Sequence, residues 1–215
     1  MKEQEYRKIE EFMQDCMKEG DAAHDREHVC RVLQAALKIA ETEPEADRDI
    51  LTAACLLHDI GREREYADPS VSHAEAGAEM ACRFLLEQGW EERRAAHVSA
   101  CILTHRFRSG REPASIEAKI LYDADKLDVC GAVGIARTLF YQGKMGEPLY
   151  RVGGDGKPLP GGPGEPASFL KEYRQKLRGL YSRFYTPAAA EMAKERQEIA
   201  EAFYQAILRE IRMTN

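Results

Sequence analysis

Two histidines and two aspartates are the residues of this chain best suited to hold a metal ion. His58 and Asp59 are adjacent and close an apolar run. His28 lies among apolar residues earlier in the chain, and Asp125 follows Leu121 by one helical turn. Burying an imidazole beside a carboxylate is unfavourable unless a metal or hydrogen-bond partners compensate. We therefore treat these four residues as one candidate metal site.

The donor set of this candidate site favours a catalytic metal. Two imidazole nitrogens and two carboxylates, with no thiolate, suit Mn, Ni, Co, Fe or Mg in an open octahedral arrangement better than closed structural zinc. Such a divalent metal lowers the pKa of bound water and offsets charge that develops on phosphoryl oxygens. Taken singly, a histidine on an apolar face is more often a hydrogen-bonded core residue, and an aspartate is more often a cap. The ordered set favours metal binding.

The elements that carry these residues are helices, because apolar residues recur at helical spacing almost throughout. The sequence predicts an all-α fold, with helices over about residues 3–18, 26–42, 46–58, 72–88, 91–105, 116–127, 132–141, 168–185 and 187–211. His58 ends the third of these helices and points inward. Asp59 is rotated from it by about 100° and can approach the same point from the side.

The chain is predicted to form a single domain over residues 1–215. One segment, residues 143–166, is so rich in Gly and Pro that it predicts a long loop, which precedes two closing helices within residues 168–211. A polar loop is predicted around Tyr66–Ser70. The charged residues 62–65, just before it, are predicted to be a solvated run.

The composition limits the partners. A net charge of −6 disfavours a nucleic-acid polymer, because such binders neutralise phosphates with Lys and Arg, but a small phosphate ester needs only a local basic pocket. The first residues lack the apolar run of a signal peptide, and no segment approaches the roughly 18 apolar residues of a membrane span. We expect a soluble, cytosolic protein that does not bind membranes. The prevalence of such assemblies suggests a homodimer.

The order of the four residues resembles the H…HD…D signature of the HD-domain superfamily of metal-dependent phosphohydrolases. The resemblance rests on His28, on His58 and Asp59 within Leu-Leu-His-Asp-Ile-Gly, and on Asp125 within Asp-Ala-Asp-Lys-Leu-Asp, and covers about residues 20–130. Further matches around His24, His73, His105 and Gly134–Arg137 resemble a small bacterial subfamily that includes nucleoside-triphosphate pyrophosphatases.

The resemblance implies a nucleotide substrate. The leading hypothesis is hydrolysis of a (deoxy)nucleoside triphosphate to monophosphate and pyrophosphate. Two alternatives stay open at this point. One is a phosphodiesterase or phosphomonoesterase that acts on another phosphate ester. The other is a non-catalytic sensor of nucleotide or metal.

The resemblance also suggests roles for residues around the metal. His73 and His105 fall where binuclear members supply ligands to a second metal. Because Arg106 stands where those enzymes carry a second histidine, we favour phosphate contact or proton transfer for His73 and His105. Lys126 is expected to contact substrate phosphate, with an exposed helical lysine as the alternative.

Three more charged residues flank the signature. Arg31 lies one helical turn beyond His28 and either binds phosphate or pairs with one of the metal-site aspartates. Asp25 is expected to cap the second helix. Asp128 either orients a ligand histidine or caps a helix.

Overall fold

The computed structural model describes residues 1–17, 25–106 and 111–212. The chain divides into two compact units, Met1–Asp125 and Lys126–Asn215. The predicted all-α fold is confirmed, since the regular secondary structure of the described residues is helical apart from one short hairpin. The single domain stays a prediction. Within the described residues, no helix is long and apolar enough to cross a membrane. The cytosolic location expected from the sequence also stays a prediction.

The first unit is a helical bundle. Its elements, in chain order, are α1 (Glu3–Cys16), α2 (Arg26–Ile39), α3 (Arg48–Leu57), α4 (Arg62–Ala67), α5 (His73–Glu87), α6 (Glu92–Thr104) and α7 (Ile116–Asp128), the last of which ends in the second unit. Helix α3 packs against α1, α2 and α6, and α5 packs against α6. Because α3 is surrounded in this way, nearly all of its residues after the first turn are buried.

Side-chain caps fix where the two helices that lead into the site begin. Asp25 accepts a hydrogen bond from the backbone N–H of His28 at 2.8 Å, so the cap expected of Asp25 is present. Asp47 accepts from the backbone N–H groups of Asp49 and Ile50, at 3.0 and 3.2 Å. Such caps satisfy donors that a helix start leaves unpaired. They therefore fix the register in which α2 and α3 present their buried histidines.

Helix α4 corrects the predictions for residues 62–70. The sequence predicts a solvated charge run there and a loop around Tyr66, whereas residues 62–67 form a helix. Arg62 and Glu65 are one turn apart, so they share a face. Arg62 lies 2.7 Å from the buried Asp59, and Glu65 lies 2.6 Å from the buried His73. The charges of Arg62 and Glu65 thus have partners inside the fold, which a charge pattern alone does not reveal.

Aromatic side chains from its helices lie in the core of the second unit. Its elements are α8 (Gly131–Lys144), β1 (Arg151–Val152), β2 (Pro158–Leu159), α9 (Phe169–Gln175), a 3₁₀ helix (Leu177–Ser182) and α10 (Pro187–Arg212). The strands β1 and β2 pair antiparallel within the predicted Gly/Pro-rich loop. Tyr173 of α9 stacks on Tyr204 of α10, with ring centroids 4.6 Å apart. These rings belong to a buried cluster that joins α8, α9 and α10.

The predicted continuous helix over residues 168–185 is wrong. Helix α9 ends before Lys176, whose φ of −121° and ψ of −60° are not helical, and a 3₁₀ helix follows. Gly179 lies in this second segment, and glycine disfavours an α-helix by about 1 kcal/mol relative to alanine. The tighter winding accompanies a hydrogen bond from the Gly131 backbone N–H to the Tyr181 hydroxyl, at 3.1 Å.

A buried ion pair stabilises the second unit. Arg137 donates to the carboxylate of Asp128, and both side chains are largely buried. Arg137→Met is expected to lower the free energy of unfolding by about 3 kcal/mol, because it leaves a buried carboxylate without this partner. Chemical denaturation measures the loss. The double variant Arg137→Met with Asp128→Leu should recover much of it, and equal stability of wild type and single variant would contradict the expectation.

Candidate metal centre

Helix α3 delivers His58 and Asp59 into the core of the first unit. His58 is the C-cap residue of α3, and both side chains are fully buried. The Nδ1 atom of His58 lies 2.8 Å from the carbonyl oxygen of Cys55. Because a carbonyl only accepts, Nδ1 must carry the hydrogen in the neutral ring, and Nε2 then presents its lone pair. His58 is therefore prepared as an Nε2 ligand.

The structure brings together the four residues that the sequence predicts as metal ligands. The Nε2 atoms of His28 and His58 lie 3.2 Å apart. Asp125 Oδ1 lies 3.5 Å from His28 Nε2. Asp59 Oδ2 lies 3.5 Å from the same nitrogen and 3.4 Å from His58 Nε2. His28, His58 and Asp125 can thus share one ion, with Asp59 Oδ2 beside them.

A second group of possible ligands lies on the other side of Asp59. His73 at the start of α5 and His105 at the end of α6 have Nε2 atoms 3.3 Å apart. Asp59 Oδ1 lies 3.6 Å from His73 Nε2 and 3.7 Å from His105 Nε2. The Nδ1 atom of His105 lies 2.6 Å from the Ile102 carbonyl, so its Nε2 also presents a lone pair. Asp59, His73 and His105 form a second cluster that could hold an ion.

The surroundings of the Asp59 carboxylate fit a cation. Both oxygens are buried, and neither accepts a hydrogen bond of ordinary geometry from the described residues. Arg62 Nε lies 2.7 Å from Oδ2, but the two atoms are not aligned as a hydrogen bond. A buried unsatisfied carboxylate is costly, and facing imidazole lone pairs repel one another. Cations beside Asp59 would relieve both, and the nitrogen and oxygen donors suit a divalent metal.

Burial and a neighbouring charge keep three residues of the site in the forms that metal ligands need. Burial opposes ionisation of Asp59, yet the Arg62 guanidinium holds the pKa of the carboxyl well below its usual value. Burial and the nearby Arg62 lower the pKa of His73 to about 3. Burial likewise lowers the pKa of His105. At neutral pH these residues are a carboxylate and two neutral imidazoles.

Sequence reasoning missed two contacts that α4 makes with the site. Arg62 lies against Asp59, and Glu65 Oε2 lies 2.6 Å from the Nδ1 atom of His73. Arg106 Nη1 lies 3.2 Å from Glu65 Oε1 and 2.8 Å from the same Nδ1 atom. The signal in the sequence was the spacing of Arg62 and Glu65, one helical turn apart directly after the buried His-Asp pair.

The structure gives the surroundings of three other residues singled out from the sequence. Arg31 lines a shallow surface groove on α2 with Arg26, Glu27 and Cys30. Lys126 follows Asp125 on α7 and is half-buried. Asp128 accepts from Arg137, a partner that the sequence did not suggest. His24, part of the resemblance, lies outside the described residues.

Known proteins resemble the chain both locally and along its length. The family model described as "HD domain" matches residues 26–130, the range that contains all four predicted metal ligands. The protein YpgQ of Bacillus subtilis strain 168 is 31% identical over 207 residues, which cover 94% of this chain and 92% of YpgQ. The similarity therefore extends through both units.

Solved structures share the fold. An HD-superfamily hydrolase from Bacillus thuringiensis is 31% identical, with a TM-score of 0.74 and coverage of 98% of each chain. Bacillus subtilis YpgQ in complex with ADP superposes with a TM-score of 0.74, over 97% of this chain and 95% of that one. Its identity in this structural alignment is 27%. The sequence comparison and the structure comparison thus both find YpgQ as a relative along nearly the whole chain.

Proposed function

Because this chain belongs to the HD-domain family of metal-dependent phosphohydrolases, we propose that it hydrolyses a (deoxy)nucleoside triphosphate to the monophosphate and pyrophosphate. The observation that carries the proposal is the convergence of four buried imidazole Nε2 atoms on the Asp59 carboxylate. The ADP complex of YpgQ supports a nucleotide as the substrate, since ADP contains the nucleoside and the phosphoanhydride that a triphosphate also has.

The first divalent metal would be held by the residues predicted from the sequence, which are His28, His58, Asp59 and Asp125. When bound, it would supply Lewis-acid stabilisation of phosphoryl charge and a water of lowered pKa. Mn, Ni, Co, Fe and Mg all suit this mixed nitrogen and oxygen set.

A second divalent metal would be held by His73 and His105, with Asp59 shared between the two ions. Supporting this, Oδ2 of Asp59 faces one pair of imidazoles and Oδ1 faces the other. The alternative is the role that the sequence favoured for His73 and His105, which is phosphate contact or proton transfer. The number of metal ions bound per chain distinguishes the two possibilities. A second metal site gives two ions per chain, whereas the alternative gives one.

Cationic side chains would neutralise the substrate phosphates. Arg62 lies beside the metal cluster, and a guanidinium can bind two phosphate oxygens at once. Arg31 lines the groove on α2 and is a candidate from the sequence. Lys126 is a candidate from the sequence alone. The charge of a triphosphate is concentrated on its phosphates. A metal ion together with these cationic side chains would offset that charge.

The test is product release from a panel of nucleoside and deoxynucleoside triphosphates, monophosphates and cyclic dinucleotides, each with Mn, Ni, Co, Fe or Mg. Metal-dependent release of pyrophosphate and a monophosphate from triphosphates is the expected result. Orthophosphate alone would indicate a phosphomonoesterase, and a linear product from a cyclic dinucleotide would indicate a phosphodiesterase. Binding of nucleotide without turnover under any metal would point to a sensor, and each of these three results would overturn the proposal.

A further inference from the structure

The four histidines of the site reach their ligand position in different ways. His58 and His105 each close a helix, so the carbonyl three residues earlier lies within reach of Nδ1, at 2.8 and 2.6 Å. His73 is the first residue of α5. A residue there has no preceding helical turn, and so no carbonyl of that kind can orient its ring. Its Nδ1 atom needs a partner from elsewhere in the fold.

Glu65 of α4 is that partner. Its Oε2 lies 2.6 Å from His73 Nδ1, across eight positions of sequence. A carboxylate only accepts hydrogen bonds, and burial makes a bare nitrogen facing it unfavourable. The contact therefore requires a hydrogen on Nδ1. Only one hydrogen is present in a neutral imidazole, so Nε2 keeps its lone pair and points at Asp59 Oδ1, 3.6 Å away.

A hydrogen bond from Arg106 would favour the opposite tautomer of His73. Its Nη1 lies 2.8 Å from the same Nδ1 atom and 3.2 Å from Glu65 Oε1. Donation from Arg106 to Nδ1 would force the hydrogen onto Nε2, which could then donate to a phosphate but could not bind a metal. Arg106 has an alternative acceptor in Glu65 Oε1, whereas a bare Nδ1 would face Glu65 Oε2 lone pair to lone pair at 2.6 Å. The tautomer that His73 adopts therefore depends on whether Nδ1 donates to Glu65 or accepts from Arg106.

We propose that Glu65 is a positioning residue that holds His73 in its Nδ1–H tautomer and so makes Nε2 a ligand of the second metal. The proposal rests on the metal centre of the proposed function and adds a residue to it. Carboxylates that accept from a metal-bound histidine fix its ring and its tautomer, and losing one typically weakens metal binding 10- to 100-fold. Glu65 acts through His73 and does not itself reach the reacting atoms.

The tautomer can be measured without metal or substrate. Long-range ¹H–¹⁵N spectra of metal-free, ¹⁵N-histidine-labelled protein distinguish the two ring forms, and the chain has only six histidines. The signal of His73 is the one lost in His73→Gln. In the wild type we expect the Nδ1–H form. In Glu65→Leu, which removes the acceptor but keeps the bulk, we expect the Nε2–H form.

His58 and His105 are internal controls in the same spectra. Both donate to backbone carbonyls, so they should keep Nδ1–H in Glu65→Leu if the fold is intact. Glu63→Leu, two residues earlier on α4, is the matched control and should leave His73 unchanged. If Glu65→Leu does not fold, the wild-type spectrum still decides, because Nε2–H there overturns the proposal. So would an unchanged His73 tautomer in a folded Glu65→Leu.

Metal binding supplies the second readout. Titration of Mn into chelator-treated protein should give two sites in the wild type. In Glu65→Leu one site should weaken by about 10- to 100-fold while the other is unaffected. Unchanged affinity at both sites would overturn the role of Glu65. A wild type that binds no divalent metal would instead overturn the proposed function, and the tautomer spectra would still report whether Glu65 sets the form of His73.

Discussion

Asp59→Asn is expected to lower the rate of nucleotide hydrolysis by about a thousandfold, equal to about 4 kcal/mol of transition-state stabilisation. The two oxygens of the Asp59 carboxylate face the two clusters of histidines. An asparagine has a similar shape but no charge, and its nitrogen cannot serve as a ligand. The substitution should therefore remove metal from both clusters, as measured by elemental analysis after dialysis, together with product release.

Asp49→Asn is the matched control for this experiment. Asp49 lies in the first turn of α3, the helix that ends before Asp59, and its side chain is 41% exposed. The control should keep wild-type metal content and rate. Circular dichroism would establish that Asp59→Asn is folded. A folded Asp59→Asn that binds two metals and hydrolyses nucleotides normally would show that Asp59 is not the shared ligand.

The sequence predicts the four residues of the first cluster because their positions obey local rules. His58 ends an apolar helix, Asp59 follows it, and both positions are readable from the helical period. The start of α2 could also be predicted, since Asp25 has the residue type that caps helices, and it does cap α2. Local rules of this kind also give the all-α fold, because each helix buries one periodic stripe.

The role of Glu65 could not be predicted, since it depends on a contact between two helices. A run of charges on a short segment is usually solvated, and the sequence around Arg62 and Glu65 has no apolar stripe. The partner of Glu65 is His73, eight positions later, which is brought near when α5 packs on α4. The same is true of the break after α9, where a hydroxyl of Tyr181 reaches a distant backbone group.

Gly61→Ala is expected to disturb both the stability and the second metal cluster. Gly61 has ordinary backbone angles, φ −84° and ψ −4°, so it is not needed for an unusual conformation. It is needed because the backbone of α5 passes very close to Gly61. A Cβ atom there would lie 2.2 Å from the carbonyl oxygen of His73 and 2.6 Å from the backbone nitrogen of Gly77. Backbone atoms cannot move aside as a flexible side chain can, so α4 and α5 must separate.

The separation should cost about 3 kcal/mol in the free energy of unfolding, the upper end for overpacking a well-packed core. It should also move His73, whose own carbonyl is the nearest obstacle, away from Asp59. Denaturation and Mn titration measure the two effects. Gly77→Ala, with its closest contact at 3.3 Å, should cost less, and Gly143→Ala, with no atom of the described chain within 4 Å, should be close to neutral. A Gly61→Ala protein with wild-type stability and two metal sites would mean that α4 and α5 are not held at this distance.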